Sequence, residues 1–214
     1  MKIIIPARMG SKGLPLKNRI LFEKTAQIVP DEFRKGVWVS TDDPEIARMS
    51  IDHGFHVIDR PKELATDDAS TRDVLVHAIE EAGIQPSEII VMLYLTYPER
   101  TWEDVQNAME FFFNQYQLGI ANSMLCKKEV KSHPYLCLVE HGVGGVFGKQ
   151  LVQHDLCRRQ EYPPCFEISH FVCILRADSI YTLNRNLYGE KTVFFQIKEV
   201  VDVDTQADLE KIHN

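Results

Sequence analysis

Three cations, Arg8, Lys12 and Lys17, crowd one short segment, IPARMGSKGLPLKN over residues 5–18. Gly10 and Gly13 lie between them and let the backbone approach a ligand closely. Concentrated positive charge on such a loop is what a triphosphate of charge about −4 requires. Towards the other end of the chain, Asp202 and Asp204 are spaced i, i+2 in VVDVDT. On an extended strand both side chains point to one face. Two carboxylates there can share a hard divalent cation such as Mg²⁺, whose other ligands are substrate phosphates and water. Asp208 reads instead as the N3 partner of Thr205 at a helix start and is left out of the pair. Cations for phosphates and carboxylates for a metal suggest phosphoryl-type transfer, a chemistry of positioning and charge neutralisation.

Other chemistries fit poorly. A Walker A loop needs G-x-x-x-x-G-K-[ST], and no glycine pair here has that spacing with Lys-Ser/Thr following. A dinucleotide fingerprint needs G-x-G-x-x-G opening a helix, and Gly10-x-x-Gly13 followed by Pro15 does not supply it. Cys126, Cys137, Cys157, Cys165 and Cys173 are odd in number and contain no C-x-x-C pair, and His133, His141, His154 and His170 lack the short spacing of a zinc site. Thiols of this kind, with no Asn-x-Ser/Thr acceptor, suit a reducing cytoplasm. The net charge of −7 argues against general nucleic-acid binding. No apolar run approaches the ~20 residues of a membrane span, so no membrane partner is expected.

Positioning these groups needs a packed scaffold, and 214 residues with 44% hydrophobic content can build one. Strand-like and helix-like segments alternate over the first 125 residues. Strands are expected at Lys2–Pro6, Val37–Ser40, Phe55–Ile58 and Ile89–Leu95. Between them, a short helix spans about Phe22–Val29, and further helices start at Asp43-Pro44, Ser70-x-x-Asp73 and Thr101-x-x-Asp104. Gly54 and Gly83 end two of them. The pattern breaks over about 126–165, read as an inserted arm that contacts a second subunit or covers the substrate. It resumes with a strand at Phe171–Leu175, a helix at Asp178–Leu187, strands at Val193–Ile197 and Val200–Asp204, and a helix capped by Thr205-x-x-Asp208. The expected fold is one α/β domain over 1–214, a doubly wound, mostly parallel sheet with an inserted arm.

The segment I-P-A-R-x-G-S-K-G-x-x-x-K-N resembles the signature of the acylneuraminate cytidylyltransferases, which activate acidic sugars with CMP. The resemblance continues through VSTD (Val39–Asp42), RPKELATDDAS (Arg60–Ser70) and VDVDTQADLE (Val201–Glu210). It implies a sheet of the nucleotide-diphospho-sugar transferase type. It also implies that Ala7, Arg8, Gly10, Ser11, Lys12, Gly13, Lys17 and Asn18 form the triphosphate loop, with Arg8 and Lys17 at the α-phosphate and departing pyrophosphate. Arg60, Ser70 and Thr71 would hold the cytidine half of CTP, and Asp202 and Asp204 the Mg²⁺. The implied reaction is in-line attack by an acceptor hydroxyl on the α-phosphorus, with release of pyrophosphate.

The acceptor side departs from that family. Its L-L-Q-P-T-S-P-x-R-T becomes MLYLTYPERT over 92–101, so Tyr94 replaces a glutamine and Tyr97 a serine. Its N-G pair becomes Ser169-His170, while Arg159 and Gln160 of its P-R-Q remain. Tyr94, Arg159, Gln160, Phe166, Ser169 and His170 are the expected acceptor residues, and Arg159 the partner of an acidic group. The leading expectation is CMP transfer to a nonulosonic acid of neuraminic, legionaminic or pseudaminic type by a homodimer. Transfer to an octulosonate-like acid or a phosphonate is the alternative, and a non-catalytic nucleotide-binding protein is another.

Overall fold

A computed structural model describes residues 1–142 and 147–212. The part of the expected arm at 143–146 lies outside the described residues, as does the end of the chain beyond 212. Seven strands form the main sheet: β1 (Lys2–Pro6), β2 (Val37–Thr41), β3 (His56–Asp59), β4 (Ile89–Met92), β5 (Ser123–Glu129), β8 (Phe166–Arg176) and β9 (Thr192–Gln196). Their order is β3-β2-β1-β4-β8-β5-β9. All pairings are parallel except those of β8, which runs antiparallel to both β4 and β5. This is the expected mostly parallel α/β sheet.

The alternation of β1 explains the winding. Ile3 and Ile5 face one side, where they join Phe22 of α1 (Lys17–Ile28), Ile46 of α3 (Pro44–Asp52) and Phe112 of α5 (Trp102–Gln117). Ile4 faces the other and joins Leu75 and Ala78 of α4 (Thr71–Glu81) and Ile180 of a 3₁₀ turn at Ala177–Thr182. β4 is buried throughout, as a central strand covered on both faces must be.

Helix starts follow the expected signals. Asp43 accepts from the Glu45 N–H with Pro44 in the first turn, Ser70 accepts from Asp73 N, and Thr101 with Asp104 makes a full capping box. Gly54 and Gly83 close their helices at φ +75° and +60°. A short helix α2 (Asp31–Arg34) precedes β2.

Several expectations need correction. α1 starts at Lys17, five residues earlier than expected, so Lys17 and Asn18 sit in its first turn. Asp178–Leu187 holds only the 3₁₀ turn, and Leu187 adopts φ +63°. Val200–Asp204 forms no strand, because none among the described residues lies alongside to pair with it. It nevertheless stays alternating: Val203 is fully buried and its N–H donates to Thr96 O at 2.9 Å. From that anchor the chain enters α6 (Gln206–Ile212), capped by Thr205 and Asp208.

Cys126–Glu129 belongs to β5, so the chain leaves the sheet only after Glu129. Beyond it lie the antiparallel pair β6 (Leu138–His141) and β7 (Phe147–Gln150) and a knot of rings. His133, Tyr135, His154 and Tyr162 pack with centroids 4.4–5.3 Å apart.

Candidate active site

The carboxyl ends of β1 to β4 share one edge of the sheet, so the loops after them converge. β8 runs the other way. With Met92 opposite Cys173, the residues that precede Cys173 project past the end of β4 onto the same edge. An antiparallel strand thereby brings Ser169 and His170 beside Tyr94–Tyr97. The converging loops enclose a cavity of about 340 Å³.

Arg8, Gly10, Ser11, Lys17 and Asn18 line one side of it. The loop is held by its own polar groups: Asn18 Nδ2 donates to Arg8 O at 2.8 Å, and Met9 N donates to Asp42 Oδ1 at 2.8 Å. Asn18 therefore shapes the loop through its side chain. Arg8 Nη2 and Lys12 Nζ both reach Asp67, at 2.5 and 2.8 Å. Those two cations hold the Asp67 carboxyl below the usual carboxylate range. Phosphate oxygens that take up Arg8 must displace this carboxylate. Lys12 does not line the cavity; its side chain is 82% exposed.

Gly13 has a different use from the one expected. A Cβ there would lie 2.3 Å from the backbone oxygen of Asp204, so the missing side chain admits the 202–204 segment rather than a ligand. Gly10, by contrast, borders the cavity with open space around it. Ala7 is buried in the core beneath the loop.

Arg60 and Thr71 also line the cavity. Arg60 is 5% exposed and donates to Ser40 Oγ and Ser40 O at 3.1 and 2.7 Å. Burial lowers its pKa to about 10, so it remains charged at neutral pH, with Asp42 favouring that charge. Ser70 stands behind the wall, its hydroxyl occupied in capping α4.

Asp202 and Asp204 reach the cavity on either side of buried Val203. Lys17 Nζ donates to Asp204 Oδ1 at 2.7 Å, and the Tyr97 hydroxyl donates to Asp202 Oδ2 at 2.8 Å. Among the described residues, Asp202 Oδ1 and Asp204 Oδ2 make no hydrogen bond or ion pair. Two carboxylates, each with one oxygen clear, fit a divalent cation that draws its remaining ligands from phosphate and water. No group of three or more acidic, His or Cys side chains that could hold a metal alone occurs among the described residues.

The remaining wall is aromatic. Tyr94 hydrogen-bonds Thr71 through its hydroxyl and sets its ring edge-on to His170, centroids 5.7 Å apart. Burial pushes the Tyr94 phenol above its ordinary pKa. Burial also lowers the His170 pKa, against a raising contact with Asn186 and the Asp202 charge, which leaves the imidazole neutral at pH 7. Arg100, fully buried beneath this wall, donates to Phe171 O and Tyr94 O at 2.6 and 2.9 Å.

Arg159, Gln160 and Phe166 are not brought to this cavity. Arg159 and Gln160 sit in a 3₁₀ turn of the arm. Arg159 and Phe166 line a separate groove with His133 and Tyr162, and Lys127 lies over the Phe166 ring. Ser169 is 3% exposed and lies behind Tyr97. Conversely, Asp67 lines the cavity without belonging to the expected set, and Tyr97, expected only as a substitution on the acceptor side, lines it too. Asp67 lies inside the Arg60–Ser70 segment, whose ends alone carry the expected nucleotide contacts.

A cavity lined by cations and by paired carboxylates thus lies at the carboxyl edge of a doubly wound sheet. The sequence model of the cytidylyltransferase family matches residues 2–213, and the chain belongs to that family. The chain is 29% identical over 217 residues to an N-acylneuraminate cytidylyltransferase of Streptococcus agalactiae serotype V, covering 96% of this chain and 50% of that one. It is 27% identical to the CMP-N,N'-diacetyllegionaminic acid synthase of Legionella pneumophila, covering 96% and 91%. It thus spans about half the length of the streptococcal relative and most of the Legionella one. A solved structure of CMP:2-keto-3-deoxy-manno-octonic acid synthetase complexed with CTP shares the fold, at TM-score 0.64 and 18% identity, covering 99% of this chain and 95% of that one.

Proposed function

We propose that this protein transfers CMP from CTP to the hydroxyl of an acidic sugar, a nonulosonic acid, and releases pyrophosphate. The observation that carries the reading is the meeting in one cavity of Arg8, Lys17 and Arg60 with Asp202 and Asp204. In this reading the Ala7–Asn18 loop and Arg60 bind the nucleotide, with Thr71 and the backbone before α4 at the base. Arg8 leaves Asp67 for the phosphates and neutralises charge that builds on the transferred group. Lys17 holds Asp204 in place and faces the departing pyrophosphate. Mg²⁺ held by Asp202 and Asp204 would neutralise phosphate charge and lower the pKa of the attacking hydroxyl. Holding the hydroxyl in line with the α-phosphorus is then the work of the acceptor wall.

That wall is Tyr94, Tyr97 and His170, and it is bulky. Tyr94 is tied to Thr71 and braced by His170, so it does not swing aside to enlarge the cavity. N-acetylneuraminate is therefore expected to be a poor acceptor. The arm, with Leu138 and Leu151 65% and 56% exposed, is proposed to pair two copies into a homodimer.

A pyrophosphate-release assay with CTP and Mg²⁺ against a panel of nonulosonic acids, octulosonate-like acids and phosphonates tests the function. A nonulosonic acid is expected to give the highest kcat/KM. Release with phosphonates alone would move the acceptor to another class, and silence across the panel despite CTP binding would favour a non-catalytic nucleotide-binding protein.

A further inference from the structure

The two carboxylates of the site are held by different devices. Asp204 is tied to an ammonium group, Lys17 Nζ at 2.7 Å. No lysine or arginine pairs with Asp202 among the described residues, and its hydrogen-bond partner is the Tyr97 phenol. Tyr97 is 4% exposed, with its ring edge-on to Phe171 at 5.4 Å. Its oxygen accepts from Ser169 Oγ at 3.3 Å, and that hydroxyl accepts from Phe171 N at 3.3 Å.

The sense of this chain is fixed at both ends, because a backbone N–H can only donate and an ionised carboxylate can only accept. Phe171 N–H points to Ser169, Ser169 to Tyr97, and Tyr97 to Asp202, so every proton is directed towards the carboxylate. Bonds in such a series polarise one another. The main chain is anchored from the same place: Val203 N donates to Thr96 O, one residue before Tyr97.

We infer that Tyr97, backed by Ser169, is a positioning residue that fixes the Asp202 carboxylate so that Oδ1 faces a divalent cation. This rests on the metal-dependent transfer proposed above. It reassigns Ser169, which acts through Tyr97 and does not touch the acceptor.

The test titrates Mn²⁺ into the full chain, without nucleotide or acceptor, and follows binding by water-proton relaxation. Wild type is compared with Tyr97→Phe, Ser169→Ala and the double variant. Phenylalanine keeps the ring on Phe171, and a thermal melt reports whether each variant is folded. Tyr97→Phe is expected to weaken Mn²⁺ binding about tenfold or more, the scale on which outer-sphere partners act. Ser169→Ala should weaken it only a few-fold, because its hydrogen bonds are long. The double variant should bind no more weakly than Tyr97→Phe, since Ser169 has no route to Asp202 without the phenol. Unchanged affinity in Tyr97→Phe, additive losses in the double variant, or no Mn²⁺ binding by wild type would each overturn the inference. Because neither CTP nor acceptor is present, this pattern of Mn²⁺ affinities in a chain that transfers no CMP would reject the transfer and leave the role of Tyr97 standing.

Discussion

Each loop cation has a carboxylate within contact distance, so a single substitution changes two charges' surroundings. Asp202→Ala or Asp204→Ala should lower turnover at least about a hundredfold, the effect of removing one transition-state electrostatic contact. Calorimetry should find CTP binding much less affected, and near-normal turnover in Mg²⁺ would refute the metal assignment. Away from the site, Asp43 caps α3 and takes a two-pronged contact from Arg19, at 2.6 and 2.8 Å. Its own burial would raise its pKa, but Arg19 and the Glu45 N–H outweigh that and hold it below the usual range. A depressed carboxyl stabilises the fold above its unfolded pKa of about 4, and the benefit is lost as pH falls through the lower folded value. Asp43→Asn should therefore destabilise the protein by about 2 kcal/mol at neutral pH, with the gap closing in acid. Melting curves from about pH 7 to about pH 2 measure this, and a gap that stayed constant would contradict the linkage. At this scale the sequence was most readable where a side chain acts on its own neighbours. The caps Asp43, Ser70 and Thr101 follow from spacing alone, whereas Asp67 meets Arg8 across 59 residues and had no local signal.

At the element scale, the loop over residues 5–18 closely approaches the 202–204 segment. Gly13→Ala would put a methyl group 2.3 Å from the backbone oxygen of Asp204, and since neither can rotate away, one stretch of main chain must move. A loss of about 1–3 kcal/mol is expected, as for other overpacked contacts, together with a marked loss of turnover. Gly10→Ala has open space around it and should melt like the wild type. Equal melting of the two variants would show that the close approach is unimportant. The same region explains what the sequence concealed. α1 begins without a side-chain cap, on Leu16 at φ +55°, so none of the usual start signals marks Lys17 as helical. The alternation at 200–204 is real, since Val203 is buried, but it arises from packing against the loop after β4 and not from a paired strand. Antiparallel β8 is another such case: no local spacing places Ser169 and His170 beside Tyr94 and Tyr97, and only the family resemblance groups them ahead of the strand pairing.

For the whole molecule, the arm is the test of assembly. Leu136, Leu138, Val139 and Leu151 are all exposed on it, an apolar surface that water disfavours. Sedimentation at micromolar concentration should report a dimer, and Leu138→Glu with Leu151→Glu should return monomers. A wild-type monomer would reject the pairing. No helix among the described residues is long and apolar enough to cross a membrane. The Lys17–Asp204 contact joins positions 187 residues apart in sequence. On the ribosome the loop over residues 5–18 is thus made well before the carboxylates at 202 and 204, and waits for them while the sheet between is synthesised. Domains begin to fold during synthesis, from the amino end. A nascent chain stopped before residue 202 could already have paired β1 to β4, yet it would hold a loop of unopposed positive charge. The carboxylates at 202 and 204 therefore join a loop that is already in place, and the cavity is completed by a late contact between distant parts of the chain.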